Sequence, residues 1–338
     1  MAKLKKPKIL FIHQTWKGFE KNDYSILKKN FSLEEAQIYK NFFYKSFLII
    51  GKIIKADIIF CWFGYRAALL ILIISKVFRK KILIVAGGWE AAKMVEINYG
   101  AMRPGWYRAP QRLLMRFILF LADEIIAISD FNKKELISNA GISEHKIHRI
   151  YLGLDTPSQE SKKEISKDKN LILTVGCVKK GNIKRKGIDL FIKLAKLLPG
   201  KKFIVVGRIG KNMKEVVNTA SDNLEFTGFL ERKELDEIFK KAKVYVQLSS
   251  HENFALSLAE AMTWECVPVI SASGALPELA DKAAYYAGLD DLKKAVEAIE
   301  AACLDQSKGL LARERVENFF QLKKREEALV SLLLSLNS

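Results

Sequence analysis

Short apolar runs of four to eight residues, rich in Ile and Val, alternate with helical periods along most of the chain, and the series starts afresh near its middle. In the first half the runs are Ile9–His13, Asp57–Phe63, Lys81–Ala86, Glu124–Ser129 and Lys146–Leu152. Runs of that length without polar alternation read as strands covered on both faces, which is how parallel sheets are built. Ala67–Phe78 and Gln111–Leu121 between them carry the helical period that would cover those faces. The second half repeats the scheme with Leu171–Val175, Lys202–Val206, Leu224–Thr227, Val244–Leu248, Val267–Ser271 and Ala283–Tyr286, and with helical stretches at Gly187–Leu198, Glu231–Ala242 and Asp290–Ala302. Strand and helix in turn leave an α/β class of doubly wound sheets. Two such series in 338 residues suit two domains better than one core.

The seam is Gly153–Asn170, polar and charged, with no apolar period. The expected division is a first Rossmann-like domain at 1–155, a linker at 156–170 and a second Rossmann-like domain at 171–312. The tail at 313–338 reads as one long helical pattern that can pack back onto the first domain. Two domains on one linker imply a cleft.

Charge is unevenly placed. Of a net +18, residues 1–150 hold 26 Lys and Arg against 12 Asp and Glu, and the remainder 30 against 26. The basic half is expected to meet something anionic: a membrane surface, an acidic acceptor or nucleic acid. Cys61, Cys177, Cys266 and Cys303 are scattered without a C-x-x-C pair, as reduced cytosolic thiols are. The apolar run Ile9–Ile12 is too short for a signal peptide, and charges break Phe42–Phe63 and Leu113–Ile128, which disfavours a spanning helix.

Two stretches of the second half could carry chemistry. After the run Val244–Leu248 comes His251-Glu252-Asn253-Phe254-Ala255-Leu256, leading into Glu260-Ala261-Met262. Glu252 and Glu260 share one side if the helix starts at Glu252. A strand end feeding a helix start is where open α/β sheets bind ligands; its N–H groups suit phosphate and its carboxylates suit sugar hydroxyls. The bare spacing leaves a nucleotide-sugar site and an ordinary solvated helix face both open. The other stretch is the basic loop from Gly176 through Lys179, Lys180, Gly181, Lys184, Arg185 and Lys186 to Gly187, which is neither a Walker loop nor G-x-G-x-x-G. A flexible solvated loop and a phosphate-binding loop both fit it.

Taken together these motifs resemble a family. The order Val175-Gly176, Lys186-Gly187-Ile188-Asp189, Val205-Val206-Gly207, Phe226 to Leu230, Ser249 to Glu252, Glu260-Ala261-Met262, Pro268-Val269 and Gly274 to Glu278 is similar to the donor-binding domain of family 4 retaining glycosyltransferases, the glycogen-synthase-like and mannosyltransferase-like group with the GT-B fold. Ala122 to Ser129 and Gly153-Leu154-Asp155 carry a weaker likeness in the first half. The resemblance implies a hexosyltransferase that uses a nucleotide-sugar such as a UDP- or GDP-hexose as co-substrate, retains configuration, and needs neither metal nor other cofactor. Lys186 then matches the lysine on the donor diphosphate, Glu260 the glutamate on the ribose and Glu252 the catalytic-site glutamate beside the transferred sugar. The backbone of Asn253, Phe254, Ala255 and Leu256 would lie near sugar and phosphates, and Gly176 would open the loop. The family arginine is replaced by Cys177; Lys180, Lys184 or Arg185 could supply its charge, and Arg185 is favoured because it adjoins Lys186. The usual glycines are Asn253 and Ala255, and Glu265 also stands where a glycine is common.

On the acceptor side Glu90, after Gly87-Gly88-Trp89, and His13, at the first strand end, are candidates; a loop glutamate in water and a packed histidine are the alternatives. Arg108, Arg112 and Arg116 recur every four residues beside Trp106, Tyr107, Leu113, Leu114, Phe117 and Ile118, and Lys45, Lys52 and Lys55 lie among Phe42, Phe43, Phe47, Ile49, Ile50, Ile53 and Ile54. Basic amphipathic stretches suit an anionic bilayer, so the acceptor is expected to be a glycan, a lipid or a lipid-linked glycan, and the protein cytoplasmic or peripheral on the inner face of the plasma membrane. Core-packed helices with solvated charges are the other reading. The rival from another class is a non-catalytic basic α/β binding protein for nucleotide or nucleic acid. No RNP-like, KH-like or zinc pattern supports it, and no nucleic acid is expected.

Overall fold

The computed structural model describes residues 6–14, 16–38, 46–64, 66–218 and 220–336. They form two units, 1–153 with 322–338 and 154–321.

The first unit holds a six-stranded parallel sheet of β1 (Lys8–His13), β2 (Ser32–Gln37), β3 (Ile58–Trp62), β4 (Lys81–Ala86), β5 (Glu124–Ala127) and β6 (Ile147–Arg149), in the order β2-β1-β3-β4-β5-β6. Its central strands are buried along almost their whole length, as their unbroken apolar runs require. β2 is the exception: Ser-Leu-Glu-Glu-Ala-Gln is mostly exposed at the sheet edge and shows no apolar run, so the sequence pattern passes over it.

The second unit holds β7 (Asp168–Val175), β8 (Lys202–Val206), β9 (Leu224–Gly228), β10 (Ala242–Gln247), β11 (Val267–Ile270) and β12 (Tyr285–Tyr286), also parallel, in the order β12-β11-β10-β7-β8-β9. This is the doubly wound order in which the first and fourth strands lie side by side and the crossovers run outward in both directions. Ile172, Val205, Val244, Val246 and Val267 fill its core from the strands, Phe191 and Ile299 from the covering helices.

Two expectations are corrected. The segment 156–170 is not all linker, because it contains the helix Gln159–Lys163 and the start of β7. The tail is not one helix but two, Ser307–Phe319 and Leu322–Ser335, and the second unit keeps the first of them. The break follows from packing. Phe320 is buried and its carbonyl accepts from Leu154 N at 2.8 Å. The last helix then anchors in the first unit through Arg325, which is 3% exposed. Its guanidinium donates to both Asp23 oxygens at 2.5 and 2.7 Å and to the carbonyls of Ile150 and Tyr151 at 3.1 and 2.8 Å, while Trp62 Nε1 donates to the same carboxylate at 2.9 Å.

Candidate active site

In the second unit β7 and β10 are neighbours, and the chain turns away from their carboxyl ends to opposite sides. Open α/β sheets leave a crevice at that switch point. The basic loop leaves β7 there, and the Ser249–Ala255 segment leaves β10 beside it. Glycines allow the close approach. Gly187 is left-handed at φ 65°, and a Cβ on it would lie 2.1 Å from the Leu248 carbonyl oxygen. Ser250 N donates to the Arg185 carbonyl at 2.9 Å, which stitches the two loops together. On the far side Gly274, at φ 62°, leaves room for the Glu252 backbone: a Cβ would meet its oxygen at 2.4 Å, and Ala275 N donates to that oxygen at 2.8 Å.

Glu252 is thereby held in a loop. The helix begins only at Leu256, so the helical spacing expected to align Glu252 with Glu260 does not apply. The Glu252 side chain is buried, and its Oε1 accepts from Lys186 Nζ at 2.9 Å, Gln247 Nε2 at 3.1 Å and Ser249 Oγ at 3.2 Å, with Arg185 at 3.6 Å. Burial alone would push the carboxyl up; Lys186, Arg185 and the Ser249 hydroxyl outweigh it and hold it below the ordinary carboxylate range. Two cations on one carboxylate leave the cluster with a net positive charge. Gly176 faces it, and a Cβ there would sit 3.0 Å from Lys186 Cδ. Cys177 is exposed, and of the three basic residues that could replace the family arginine Arg185 is the one beside Glu252, bonding the His251 carbonyl at 3.2 Å as well. Lys180 and Lys184 are exposed.

Asn253, Phe254 and Ala255 are buried and Leu256 is half-buried. Ala255 takes a left-handed conformation at φ 55°, the geometry a glycine would adopt without strain. Its carbonyl accepts from Leu258 N and Ala259 N, so the backbone N–H groups ahead of them precede the helical ladder at its positive end. Glu260 lies further along this helix, and its Oε1 pairs with Arg232 at 2.6 Å. Arg232 also bonds both oxygens of Asp236, which in turn accepts from Trp264 Nε1. Burial and Asp236 raise the Glu260 carboxyl against the pull of Arg232, and the net shift is upward. Gln247, Ser249 and Arg232 were not singled out from sequence as partners of the two glutamates. Ser249 lies within the quoted motif, while nothing local marks Arg232.

In the first unit the two acceptor-side candidates are turned inward. His13 is fully buried, its ring centroid 4.0 Å from that of Trp16. Glu90 is 2% exposed and accepts from Gly64 N at 3.1 Å and Gly88 N at 2.9 Å, tying together the loops after β3 and β4. Burial pushes its carboxyl up in spite of these donors.

The basic helix Ala109–Leu121 also differs from expectation. It buries Met115, Ile118 and Leu119, while Leu113, Phe117 and Phe120 are exposed, as are Trp106 and Tyr107 just before it. Trp106 is 88% exposed. The arginines are engaged by the protein: Arg112 donates to the carbonyls of Arg103 and Gly105, Arg116 to that of Asn139, and Arg108 to Asn98 Oδ1. The solvated feature is therefore an apolar stripe, with Lys146 Nζ 5.4 Å from the centre of the Phe120 ring. In the other stretch Phe42, Phe43 and Lys45 fall outside the described residues. Ile49 and Ile53 are core, and Lys52 Nζ bonds the Glu35 carbonyl. No helix among the described residues is long and apolar enough to cross a membrane.

Two family models adjoin along the chain. "Glycosyltransferase Family 4" matches residues 37–157 and "Glycosyl transferases group 1" matches 155–318. An uncharacterized 41.2 kDa protein in the cps region of Klebsiella pneumoniae is 27% identical over 230 residues, 64% of this chain. The uncharacterized glycosyltransferase YqgM of Bacillus subtilis is 24% identical over 220 residues, 61% of the chain. The matches span only 62% and 58% of those curated relatives' lengths. Among solved structures, Anabaena Alr3699/HepE in complex with UDP and glucose superimposes with a TM-score of 0.75 at 15% identity, covering 97% of this chain and all of that one. WaaG, a glycosyltransferase involved in lipopolysaccharide biosynthesis, superimposes with 0.68 at 14% identity, covering 96% and 99%. At these identities the likeness is one of fold, and the two parallel six-stranded sheets are those of the GT-B architecture.

Proposed function

Because this chain belongs to the group 1 and family 4 glycosyltransferases of GT-B fold, we propose that it transfers a hexose from a nucleotide-sugar to an acceptor hydroxyl with retention of configuration. The observation that carries the reading is the Lys186–Arg185–Glu252 cluster at the β7/β10 switch point, net cationic and adjoining a helix N-terminus. A donor diphosphate is dianionic or more, and an ionised carboxylate flanked by two cations gives way to it by exchanging partners rather than by losing them. Lys186 and Arg185 then answer the charge that develops on the leaving phosphate, the largest single demand in this chemistry. In this reading they carry the charge that a divalent cation would otherwise supply. Glu252, released from Lys186, accepts hydrogen bonds from the transferred sugar and holds it in register. HepE has been solved with UDP, which favours a uridine nucleotide for this chain.

For the acceptor we propose a lipid-linked glycan met at an anionic membrane surface. The support is the exposed stripe of Trp106, Tyr107, Leu113, Phe117 and Phe120 on a unit whose first 150 residues are strongly basic. The membrane side is then the cytoplasmic one.

The experiment is a thermal-shift and hydrolysis panel of UDP- and GDP-sugars. Stabilisation by one nucleoside diphosphate, with slow sugar release from its sugar conjugate, is expected. Absence of any nucleotide response, together with RNA binding of steep salt dependence, would overturn the reading in favour of a basic binding protein.

A further inference from the structure

The amino ends of β7, β10 and β11 lie opposite the end that carries Glu252, and they border a pocket of about 230 Å³ whose lining includes Lys167, Lys169, Lys243, Glu265, Cys303 and Gln306. Its charge is one-sided. Glu265 is the carboxylate of the lining, and Arg313 already answers it in an ion pair. Among the described residues none of the three lysines forms an ion pair. Lys167 Nζ donates to the carbonyls of Phe239 and Ala242, at 2.7 and 2.8 Å, where the helix Arg232–Lys241 ends, and lies 3.5 Å from Cys266 Sγ. Lys243 is 6% exposed, and its ammonium donates to the Asp305 carbonyl at the end of the helix Leu292–Leu304. The Asp305 carboxylate is occupied elsewhere, accepting from the Tyr285 hydroxyl, from Ser307 and from Lys308 N. Lys169 stands exposed at the rim, with no side-chain bond among the described residues.

Helix carbonyls answer about half a charge at each end, and a buried lysine ordinarily has an acidic partner. Burial draws the Lys243 amine down despite Asp305, and Lys169 pushes it the same way. Burial draws Lys167 down too, against the Cys266 thiol and with Lys243 adding to the effect. Three like charges thus crowd a space that no carboxylate of the lining balances. We propose that the pocket is a binding site for a phosphate group, free or carried by a small phosphomonoester, which Lys243 and Lys169 contact and the charge of Lys167 attracts. A phosphate dianion offsets more of this charge than a monocarboxylate does, and lysine binds it as a point charge. The volume falls short of the roughly 300–1,000 Å³ of pockets for drug-sized ligands, which suits so small an occupant. Lys186 and Glu252 lie at the other end of the same strands, roughly 20 Å away by the rise of the six-residue β10. The pocket therefore stands apart from the donor reading and holds or fails without it.

The test is calorimetric titration and thermal melting of the full chain with inorganic phosphate, glycerol 3-phosphate and acetate, at an ionic strength held constant with chloride. Saturable binding of phosphate or glycerol 3-phosphate is expected, with a melting temperature that climbs with concentration. The tighter binder of the two tells free phosphate from a phosphomonoester. Lys169→Ala, at the exposed rim, and Lys243→Met, which keeps most of the side-chain volume, should each weaken that binding at least about tenfold. Lys186→Met should leave it intact. If the response vanishes in Lys186→Met and survives in Lys169→Ala, the anion belongs to the cluster around Glu252 and the proposal is overturned. Acetate bound as tightly as phosphate overturns the phosphate assignment. Wild type that responds to phosphate no more than to chloride overturns the site.

Discussion

Replacing Lys186 by Met removes the closest cation from Glu252 while keeping most of the side-chain volume. In the protein as it stands Glu252 Oε1 would retain two neutral donors, Gln247 and Ser249, and Arg185 at 3.6 Å. A hydrogen bond to a charged group contributes about 1.5–3 kcal/mol net, so the variant should lose about 2 kcal/mol of stability. If Lys186 also meets the donor diphosphate, the same magnitude reappears in binding as about a 10- to 150-fold weaker Kd for the nucleoside diphosphate. Turnover should fall by at least about tenfold, since a lost contact to developing phosphate charge commonly costs more than binding does. The informative comparison is with Glu252→Gln. That change removes the carboxylate that competes for Lys186, so it should leave nucleoside diphosphate binding unchanged or tighter while abolishing transfer. Opposite signs at the two ends of one ion pair are the signature of a cation poised for a ligand. Calorimetric titration of both variants with the diphosphate found in the panel settles the point. If both lose affinity to the same extent, or Lys186→Met binds as wild type does, the pair is structural and the phosphate role of Lys186 is refuted.

Acid should act on the same pair. The folded Glu252 carboxyl lies below its unfolded value, so its contribution to stability is complete above about pH 4.3, the usual glutamate value, and is lost as pH falls through the lower folded value. The stability gap between wild type and Glu252→Gln should therefore narrow on acidification, and a gap constant with pH in thermal melts would contradict the assignment. Arg325→Met should cost about 3–5 kcal/mol by stranding the buried Asp23 carboxylate; chemical denaturation would show it, and adding Asp23→Leu should recover much of the loss. Exchanging Trp106, Phe117 and Phe120 for Ser should abolish co-sedimentation with phosphatidylglycerol vesicles and leave donor hydrolysis intact. Equal sedimentation would reject the membrane surface. Removing charge at Arg112 is expected to act on the fold instead, since its guanidinium holds two backbone carbonyls.

Much of the architecture was legible from local pattern because strands covered on both faces must be apolar throughout. The runs at Ile9, Asp57, Lys81, Leu171, Lys202 and Val244 all lie on sheet strands, while β2 escaped because an edge strand needs no such run. Lys186, Arg185 and Glu252 were found through motif order, yet their mutual contacts join residues 66 or more positions apart. Spacing also misplaced Glu252 on a helix that starts four residues later, because that loop is held by groups distant in sequence, among them Gly274, the Arg185 carbonyl and Lys186. Arg108 caps the Ala109–Leu121 helix and only Arg112 and Arg116 lie within it, and which side of that helix met the core was decided by its neighbours.

Hydrophobic period, glycine positions and charge bias thus determined the class, the two-domain plan and the residues worth suspecting, since each is a property of a short stretch of chain and its own sterics. Tertiary structure alone decided that the last helix returns to the first unit through Arg325, that Arg232 answers Glu260, and that Glu90 and His13 face inward. Those outcomes depend on which distant groups share a desolvated space, where the cost of an unpaired charge selects the partner.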